Sequence, residues 1–232
     1  LLWNLKKQEW VRVLYYGIYP LLYPEIGYGV AIVIPRRKRG GILHRDFLDQ
    51  NKGFEPLEAF REMFYGKDYT PGERMVAWYV KTYLPTLLIQ EDKVGMAHSI
   101  EARTPLCDNR MLDLSLRLPL DLKLHGGSLK ALPKEAFKSR LPEVLYHLPK
   151  RGFPTPFARW YRQEPLRGMM EDLLFGAKAR QRGVFNCAAL EKEFRRNLAS
   201  GSDGLFDFSR ARLMHSASLV ELWFRTFVDP VE

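Results

Sequence analysis

Residues 90–108 read Gln-Glu-Asp-Lys-Val-Gly-Met-Ala-His-Ser-Ile-Glu-Ala-Arg-Thr-Pro-Leu-Cys-Asp. The stretch predicts a helix that runs through Met96, then an extended turn, then a second helix. The turn is expected to be extended because Pro105 disfavours helical geometry at the residue before it. Asp108 predicts the start of the second helix, since its carboxylate can accept a hydrogen bond from a free amide of the first turn. The pattern therefore indicates a junction between two helices.

Charges alternate inside this junction, at Glu101 and Arg103, between apolar neighbours. An unpaired charge would be costly in such surroundings. Two explanations fit the residues. One is a structural ion pair next to a helix cap at Asp108, and the other is a site that receives an anionic ligand.

A second basic position follows a glycine pair, since Gly126-Gly127-Ser128 precede Lys130. A Gly-Gly turn with a serine cap presents free backbone amides at a helix start, which is a favourable place for phosphate. Lys130 is expected in the first turn of that helix, where its charge opposes the helix dipole unless an anion is nearby. The alternative is an ordinary surface lysine after a tight turn.

A third candidate segment is residues 148–157, Leu-Pro-Lys-Arg-Gly-Phe-Pro-Thr-Pro-Phe. Its prolines stiffen the chain and Lys150 adds positive charge. Phe153 and Phe157 are expected to anchor the loop in the core. A purely structural loop is the alternative, but three basic segments of this kind in one chain favour a functional site.

Breakers and apolar spacing predict a mainly α chain. The predicted helices are 56–65, 72–84, 86–99, 109–118 and 187–199, with Pro85 between the second and third, Asn186 capping the fifth, and a last helix capped by Ser209. In that last helix a core-facing stripe is predicted from apolar residues at helical spacing, namely Leu213, Ala217, Val220, Phe224 and Phe227. Residues 30–34 are either a short strand or a helix turn, and 35–53 and 120–128 are predicted to be the least ordered.

The composition is that of a globular protein, with 46% hydrophobic and 27% charged residues and a net charge of +9. No apolar run approaches the roughly 20 residues that cross a bilayer. The two cysteines lie far apart and suggest a reducing, cytoplasmic setting. Because the first residue is Leu1 rather than Met, we expect a piece of a longer protein.

The densest basic run, Arg36-Arg37-Lys38-Arg39, is predicted to be a solvated loop, since no nucleic-acid recognition signature surrounds it. A nucleic-acid partner is therefore not favoured. The five histidines form no metal-binding cluster, so no metal site is predicted from these residues. Walker and Gly-x-Gly-x-x-Gly loops are also absent from the sequence.

Taken together, these segments resemble the C-terminal synthetase domain of glutamine-dependent asparagine synthetases. The resemblance covers roughly residues 83–228 and rests on Asp92-Lys93-x-x-Met96-Ala97-His98-Ser99-x-Glu101-x-Arg103-x-Pro105-x-x-Asp108, Leu118-Pro119, Gly126-Gly127-x-x-Lys130, Pro149-Lys150-x-Gly152-Phe153-x-x-Pro156 and Glu221-Leu222-Trp223. The resemblance implies the helical C-terminal portion of an α/β ATP-pyrophosphatase-type domain. Residues 1–80 would be a variable, mainly helical segment and 81–232 the asparagine-synthetase-like region, the two forming one domain.

What the resemblance implies about chemistry is a ligase that joins an aspartate carboxylate to AMP, releases pyrophosphate, and amidates the acyl-adenylate with glutamine-derived ammonia. Lys130 and Arg103 would be the catalytic cations and would bind ATP or pyrophosphate together with Lys150. Glu101 and Asp108, with Gly126 and Gly127, would support them. Mg²⁺ would accompany ATP, with most of its ligands outside this chain.

The sequence also departs from the family pattern. The Ser-Gly-Gly-x-Asp-Ser pyrophosphate loop, the acidic magnesium motif and the N-terminal glutaminase domain are all missing, so the chain alone is expected to be inactive. Pro133 is expected to restart the helix after Lys130. The alternatives are a non-catalytic helical interaction module and a related carboxylate-activating enzyme such as a β-lactam synthetase.

Overall fold

A computed structural model describes residues 33–34, 36–55, 58, 68–123, 130–148, 155–200 and 205–229. They fall into two compact units. Unit 1 lies within Leu1–Phe54 and Phe153–Glu232, and unit 2 within Glu55–Gly152. The boundary predicted between residues 80 and 81 stays a prediction, since much of 1–80 lies outside the described ranges.

Unit 1 is built from helices joined by short turns. In chain order they are α1 (Arg36–Ile42), α2 (Arg45–Gln50), α9 (Phe157–Trp160), α10 (Leu166–Phe175), α11 (Ala177–Arg182), α12 (Cys187–Ala199) and α13 (Leu205–Phe227), with one antiparallel bridge between Leu43 and Phe185. The long helix α13 packs against α9, α10 and α12, while α1 packs against α12. The bridge and these contacts bring the two sequence-distant parts of unit 1 together.

Unit 2 is also helical in its described part. Its helices are α3 (Pro71–Trp78), a π-helical turn (Tyr79–Tyr83), α4 (Leu84–Met96), a 3₁₀ turn (Pro105–Cys107), α5 (Asn109–Arg117), α6 (Leu120–Lys123), α7 (Ala131–Ala136) and α8 (Val144–His147). Thr70 caps α3 through a reciprocal capping box with Glu73. An ideal Cβ on Gly72 would overlap the Leu120 side chain, so α3 and α6 pack closely.

Unit 1 has a dense hydrophobic core. It consists of Tyr161, which follows α9, and of buried residues from α9, α10, α12 and α13, namely Ala158, Met170, Leu174, Leu190, Phe194, Ala211, Met214 and Ala217. The ring of Phe194 meets that of Phe175 edge to face at 5.6 Å between centroids. Burial of side chains of this size contributes about 1.5–3 kcal/mol each. The core therefore stabilises unit 1 by its own contacts.

A charged network lies beside this core. Arg182 donates to both carboxylate oxygens of Glu221, at 2.6 and 3.2 Å, and to Asp229 at 2.8 and 3.0 Å. Arg225 donates to Glu221 at 2.9 Å and also pairs with Asp172. The Glu221 side chain is only 4% exposed. Because a buried carboxylate is tolerated only when it is paired, the network fixes α10, α11 and α13 to one another.

Unit 2 contrasts with unit 1, because none of its described residues is fully buried. Large apolar side chains remain exposed on α4 and beyond it, including Ile89, Val94, Ile100, Leu106 and Leu114. Exposed apolar surface on this scale marks an interaction or binding surface more often than a self-sufficient core.

The mainly α prediction is confirmed. Asn186 caps α12 as predicted, by accepting a hydrogen bond from the Ala189 amide at 3.1 Å. Of the predicted helix 56–65 the structure describes only Glu58, which is helical. Most of 30–34 also lies outside the described residues, and Val33 and Ile34 form a bend. Residues 35–53, predicted to be poorly ordered, contain α1 and α2 instead. The basic run at 36–39 is therefore helical rather than a loop.

The predicted break at Pro85 is wrong. The π-helical turn carries the chain directly into α4, with the Leu84 amide donating to the Tyr79 carbonyl five residues earlier. Widening of the hydrogen-bond ladder at this turn accommodates the proline ring, whose missing amide would otherwise interrupt an α-helix. The helical rod is therefore continuous from Pro71 to Met96.

The predicted start of the last helix is also wrong, and its predicted apolar stripe is confirmed only in part. Ala217 lies in the core and Leu213 packs against it, as predicted. Helix α13 begins at Leu205, so Ser209 lies inside it rather than at its cap. Its buried face includes Ala217 together with polar Ser218 and Glu221, while Phe227 is 74% exposed. The rest of the predicted stripe is wrong because the buried Arg182–Glu221 ion pair occupies part of the core-facing side. No helix in the described ranges is both long enough and apolar enough to cross a membrane.

Candidate functional site

Helix α4 ends in a tight backbone turn that leads into the candidate site. Ser99 adopts the left-handed conformation with φ 58°. The Ile100 amide donates to the Gly95 carbonyl at 2.9 Å, and the Ser99 amide donates to the Met96 carbonyl at 3.0 Å. This pair of bonds is the Schellman arrangement, in which glycine usually occupies the left-handed position. The turn stops the helix and redirects the chain at Ile100.

The residues after the turn are extended, as predicted. Thr104 has φ −110° and ψ 92°, and Pro105 opens the following 3₁₀ turn. Within this segment Arg103 donates to Glu101 from Nε at 3.0 Å and from Nη2 at 3.3 Å. Their side chains are 82% and 63% exposed. The junction thus holds an ion pair at the surface, where Arg103 is also accessible to an external anion.

Asp108 caps α5, which confirms the predicted helix start. Its Oδ1 accepts from the Arg110 amide at 2.9 Å and from Arg110 Nε at 3.0 Å. These hydrogen bonds, first from the Arg110 side chain and then from its backbone, lower the pKa of the Asp108 carboxyl below its usual value. The geometry joins Asp108 to Arg110 rather than to Arg103 or Lys130.

Lys130 stands immediately before α7, not within its first turn. Its backbone is left-handed, with φ 60° and ψ 34°, and its side chain is exposed. A non-glycine residue in this region is uncommon and carries strain. Pro133 does not restart the helix, because it occupies the first turn of α7, where backbone amides have no intrahelical partner. In the described part of the chain Lys130 has no ion-pair partner.

Several predicted site residues lie outside the described residues, namely Gly126, Gly127 and Lys150. The described site residues Glu101, Arg103, Asp108 and Lys130 all belong to unit 2. The structure joins Glu101 to Arg103 directly. Their roles toward ATP stay predictions.

The described ranges hold no group of three or more His, Cys, Asp or Glu side chains arranged for a metal ion. Mg²⁺ ligands are therefore not assigned to these residues.

Unit 1 contains a polar cluster that sequence reasoning did not find. Tyr161 Oη and His215 Nδ1 lie 2.6 Å apart, and the Phe157 ring stacks on His215 at 4.2 Å. Burial raises the pKa of Tyr161 to about 12 and lowers the pKa of His215. Tyr161 Oη and His215 Nδ1 share one hydrogen bond, whose direction depends on the imidazole tautomer. The cluster joins α13 to the segment of α9, and residues 54 positions apart carry no local sequence signal of their contact.

Comparison with known proteins shows the family of the chain. The asparagine synthase family matches residues 3–225. The chain belongs to the asparagine synthase family. Within it, asparagine synthetase [glutamine-hydrolyzing] 1 of Bacillus subtilis (strain 168) is 35% identical over 78 residues, which are 34% of this chain and 12% of the relative. Asparagine synthetase [glutamine-hydrolyzing] 3 of the same strain is 25% identical over 123 residues, or 52% of this chain and 19% of the relative.

A putative asparagine synthetase [glutamine-hydrolyzing] of Mycobacterium tuberculosis (strain ATCC 25618 / H37Rv) is 34% identical over 76 residues, which are 33% of this chain and 12% of the relative. The chain thus spans less than a fifth of the length of these relatives. No solved structure matches it.

Proposed function

We propose that this chain is the helical part of an ATP-dependent carbon–nitrogen ligase that converts aspartate and ammonia to asparagine, with AMP and pyrophosphate as the other products. The observation that carries the proposal is the family match over residues 3–225. Within that match, the Glu101–Arg103 pair and Lys130 lie at exposed positions of unit 2. The free thiols of Cys107 and Cys187 fit a reducing compartment, and we place the protein in the cytoplasm.

The reaction needs positive charge where pyrophosphate develops. In the first step a carboxylate oxygen of aspartate attacks the α-phosphorus of ATP, and the bond from that phosphorus to the pyrophosphate oxygen breaks. In the second step ammonia attacks the acyl carbon and the carbon–oxygen bond to AMP breaks. Fixed cations stabilise the first transition state because charge accumulates on the departing phosphates. Lys130 and Arg103 are the residues that we assign to this role, with Lys150 as a third.

The exposure of Arg103 and Lys130 leaves both cations accessible to a substrate. Arg103 is held in one orientation by two hydrogen bonds to Glu101. A guanidinium anchored in this way keeps its remaining donors available for a phosphate. Lys130, without an ion-pair partner in the described residues, supplies a second charge that needs no carboxylate to be displaced. The glutaminase domain and the pyrophosphate loop of the family are expected in the rest of the protein.

The test is aspartate-dependent pyrophosphate release from ATP by the full-length protein. Lys130→Ala is expected to lower the rate at least about 100-fold, as loss of one charge-stabilising donor does in other enzymes. Lys134→Ala, on α7 itself, is the matched control and is expected to keep the activity. The rate of Arg103→Ala is expected to be lowered in the same way as that of Lys130→Ala. Arg110 is a nearby, exposed and ion-paired arginine, so Arg110→Ala is the matched control and is expected to keep the activity.

Two results would contradict the proposal. Equal rates for Lys130→Ala and Lys134→Ala would remove the assigned role of Lys130. Absence of aspartate-dependent pyrophosphate release from the wild-type full-length protein would favour the non-catalytic interaction module, and release with another carboxylate would favour a related enzyme such as a β-lactam synthetase. The chain alone is expected to release no pyrophosphate.

A further inference from the structure

Near the C-terminal end of α4, the backbone at Gly95 leaves no room for a side chain. An ideal Cβ at this position would lie 2.7 Å from the Ile100 carbonyl oxygen. That oxygen belongs to the backbone, so it cannot rotate away as the end of a long side chain can. The Gly95 carbonyl in turn accepts from the amides of His98 and Ile100, both at 2.9 Å. Gly95 and Ile100 are therefore in contact through both steric fit and hydrogen bonding.

Ser99 provides the bend that makes this contact possible. Its φ of 58° lies in the region that glycine adopts readily and other residues seldom adopt. The Ser99 hydroxyl makes no hydrogen bond to any residue that the structure describes. The backbone conformation of Ser99, rather than its side chain, is what the turn uses.

The rigid turn between Gly95 and Ile100 determines the position of the Glu101–Arg103 ion pair. Ile100 is fixed by the hydrogen bond from its amide to the Gly95 carbonyl. Glu101 follows it directly, and Arg103 is bound to Glu101 through two hydrogen bonds. No flexible glycine separates the turn from Arg103. A change in the direction of the chain at Ile100 would therefore move both charged groups together.

We propose that Gly95 and Ser99 are positioning residues that fix the direction in which the Glu101–Arg103 pair leaves α4. The inference rests on the proposed function, because the position of Arg103 matters to catalysis only if Arg103 contacts phosphate. A displacement of about 1 Å at a reacting group can lower a rate by about 100-fold. The backbone of this turn is thus a determinant of kcat.

The first experiment is a Ser99 series in the full-length protein, measured as aspartate-dependent pyrophosphate release. Ser99→Gly and Ser99→Asn are expected to keep kcat within about threefold, since both residues accept the left-handed conformation. Ser99→Val is expected to lower kcat at least about tenfold, with the KM for ATP changed less than about threefold. Loss of activity in Ser99→Gly would overturn the proposal, because it would show that the hydroxyl is the functional group.

The second experiment compares two glycines. Gly95→Ala is expected to lower kcat at least about tenfold, whereas Gly41→Ala, in α1, is the control because a Cβ there would meet nothing within 4 Å. Equal kcat for the two variants, with both folded by circular dichroism, would overturn the steric part of the proposal.

A readout without activity separates this inference from the proposed function. Hydrogen exchange of the Ile100 amide, followed by NMR in the full-length protein, is expected to be slow in the wild type and in Ser99→Gly and at least about tenfold faster in Gly95→Ala. If exchange follows this order but the wild type releases no pyrophosphate, the rigid turn is confirmed and the proposed function is wrong. If the Ile100 amide exchanges freely in the wild type, the claim that the turn is rigid is itself refuted.

Discussion

The two units of this protein are both helical, but they differ in how deeply their helices bury apolar side chains. In unit 1, helices surround a core in which Leu190, Ala211 and Met214 are fully buried. In unit 2, the described helices bury no residue completely and leave residues such as Leu106 and Val94 mostly exposed. Helices gain most of their stability from packing of an apolar face. Unit 1 therefore has a packed core, whereas the described part of unit 2 leaves large apolar side chains exposed.

The ion pairs of the two units show the same difference. The Glu221 side chain of unit 1 is 4% exposed and bound by two arginines, Arg182 and Arg225. Glu101 of unit 2 is 63% exposed and bound by Arg103 alone. A buried pair is expensive to break, whereas an exposed pair contributes little to stability and leaves its cation accessible. Under the proposed function, the exposed Glu101–Arg103 pair of unit 2 is available to a ligand, whereas the buried network around Glu221 stabilises unit 1.

The largest expected effect comes from equivalent truncations in the two units. Leu190→Ala, at a fully buried position, is expected to lower the free energy of unfolding by about 3–5 kcal/mol because it leaves a cavity in the core. Leu106→Ala, at a position 72% exposed, is expected to change it by less than about 0.5 kcal/mol. Urea unfolding followed by circular dichroism measures both. Similar losses would show that Leu106 belongs to a core as well.

A smaller effect is expected when the two ion pairs are neutralised. Glu221→Gln is expected to cost about 2–3 kcal/mol, since Arg182 and Arg225 lose a buried charged acceptor but keep Asp229 and Asp172. Glu101→Gln is expected to cost no more than about 1 kcal/mol. The same urea experiment at low and high salt checks both values. A loss for Glu101→Gln as large as that for Glu221→Gln would break the distinction between the units.

The smallest effect concerns pH and His215. Burial lowers the pKa of His215 in the folded state, so the unfolded chain binds a proton more readily than the folded one. The contribution of neutral His215 to stability is therefore present above its unfolded pKa of about 6.5 and is lost as pH falls through that value to the folded pKa.

His215→Gln, which does not titrate, is expected to reduce the slope of stability against pH in this window. Thermal unfolding between pH 5 and 8 measures the slope, and His147→Gln in unit 2, where the side chain is 75% exposed, is the control. An unchanged slope in His215→Gln would contradict the assignment.

Local chemistry explains what could be predicted from sequence. Asp108 and Asn186 were recognised as helix caps because capping involves only the next few residues. The extended segment at Glu101 and Arg103 followed from Pro105 in the same way. The family resemblance could also be identified from the sequence, because its motif is continuous from Asp92 to Asp108.

Features that depend on distant contacts or unusual backbone geometry could not be predicted. The π-helical turn before Pro85 and the left-handed Ser99 are backbone conformations that no residue type specifies by itself. Part of the buried face of α13 could not be predicted, because a glutamate such as Glu221 is typical of a surface unless cations such as Arg182 and Arg225 lie beside it. Apolar spacing predicts a helix, but it does not predict which charged residues lie on the buried face of that helix.

The central claim is the proposal that the substrate site lies in unit 2. Hydrogen exchange of the full-length protein with and without MgATP and aspartate tests this most directly. The account predicts slower exchange in residues 100–108 and 131–136 when the substrates are bound, with no change in residues 187–199. Slower exchange confined to residues 187–199, or no change in residues 100–108, would contradict it.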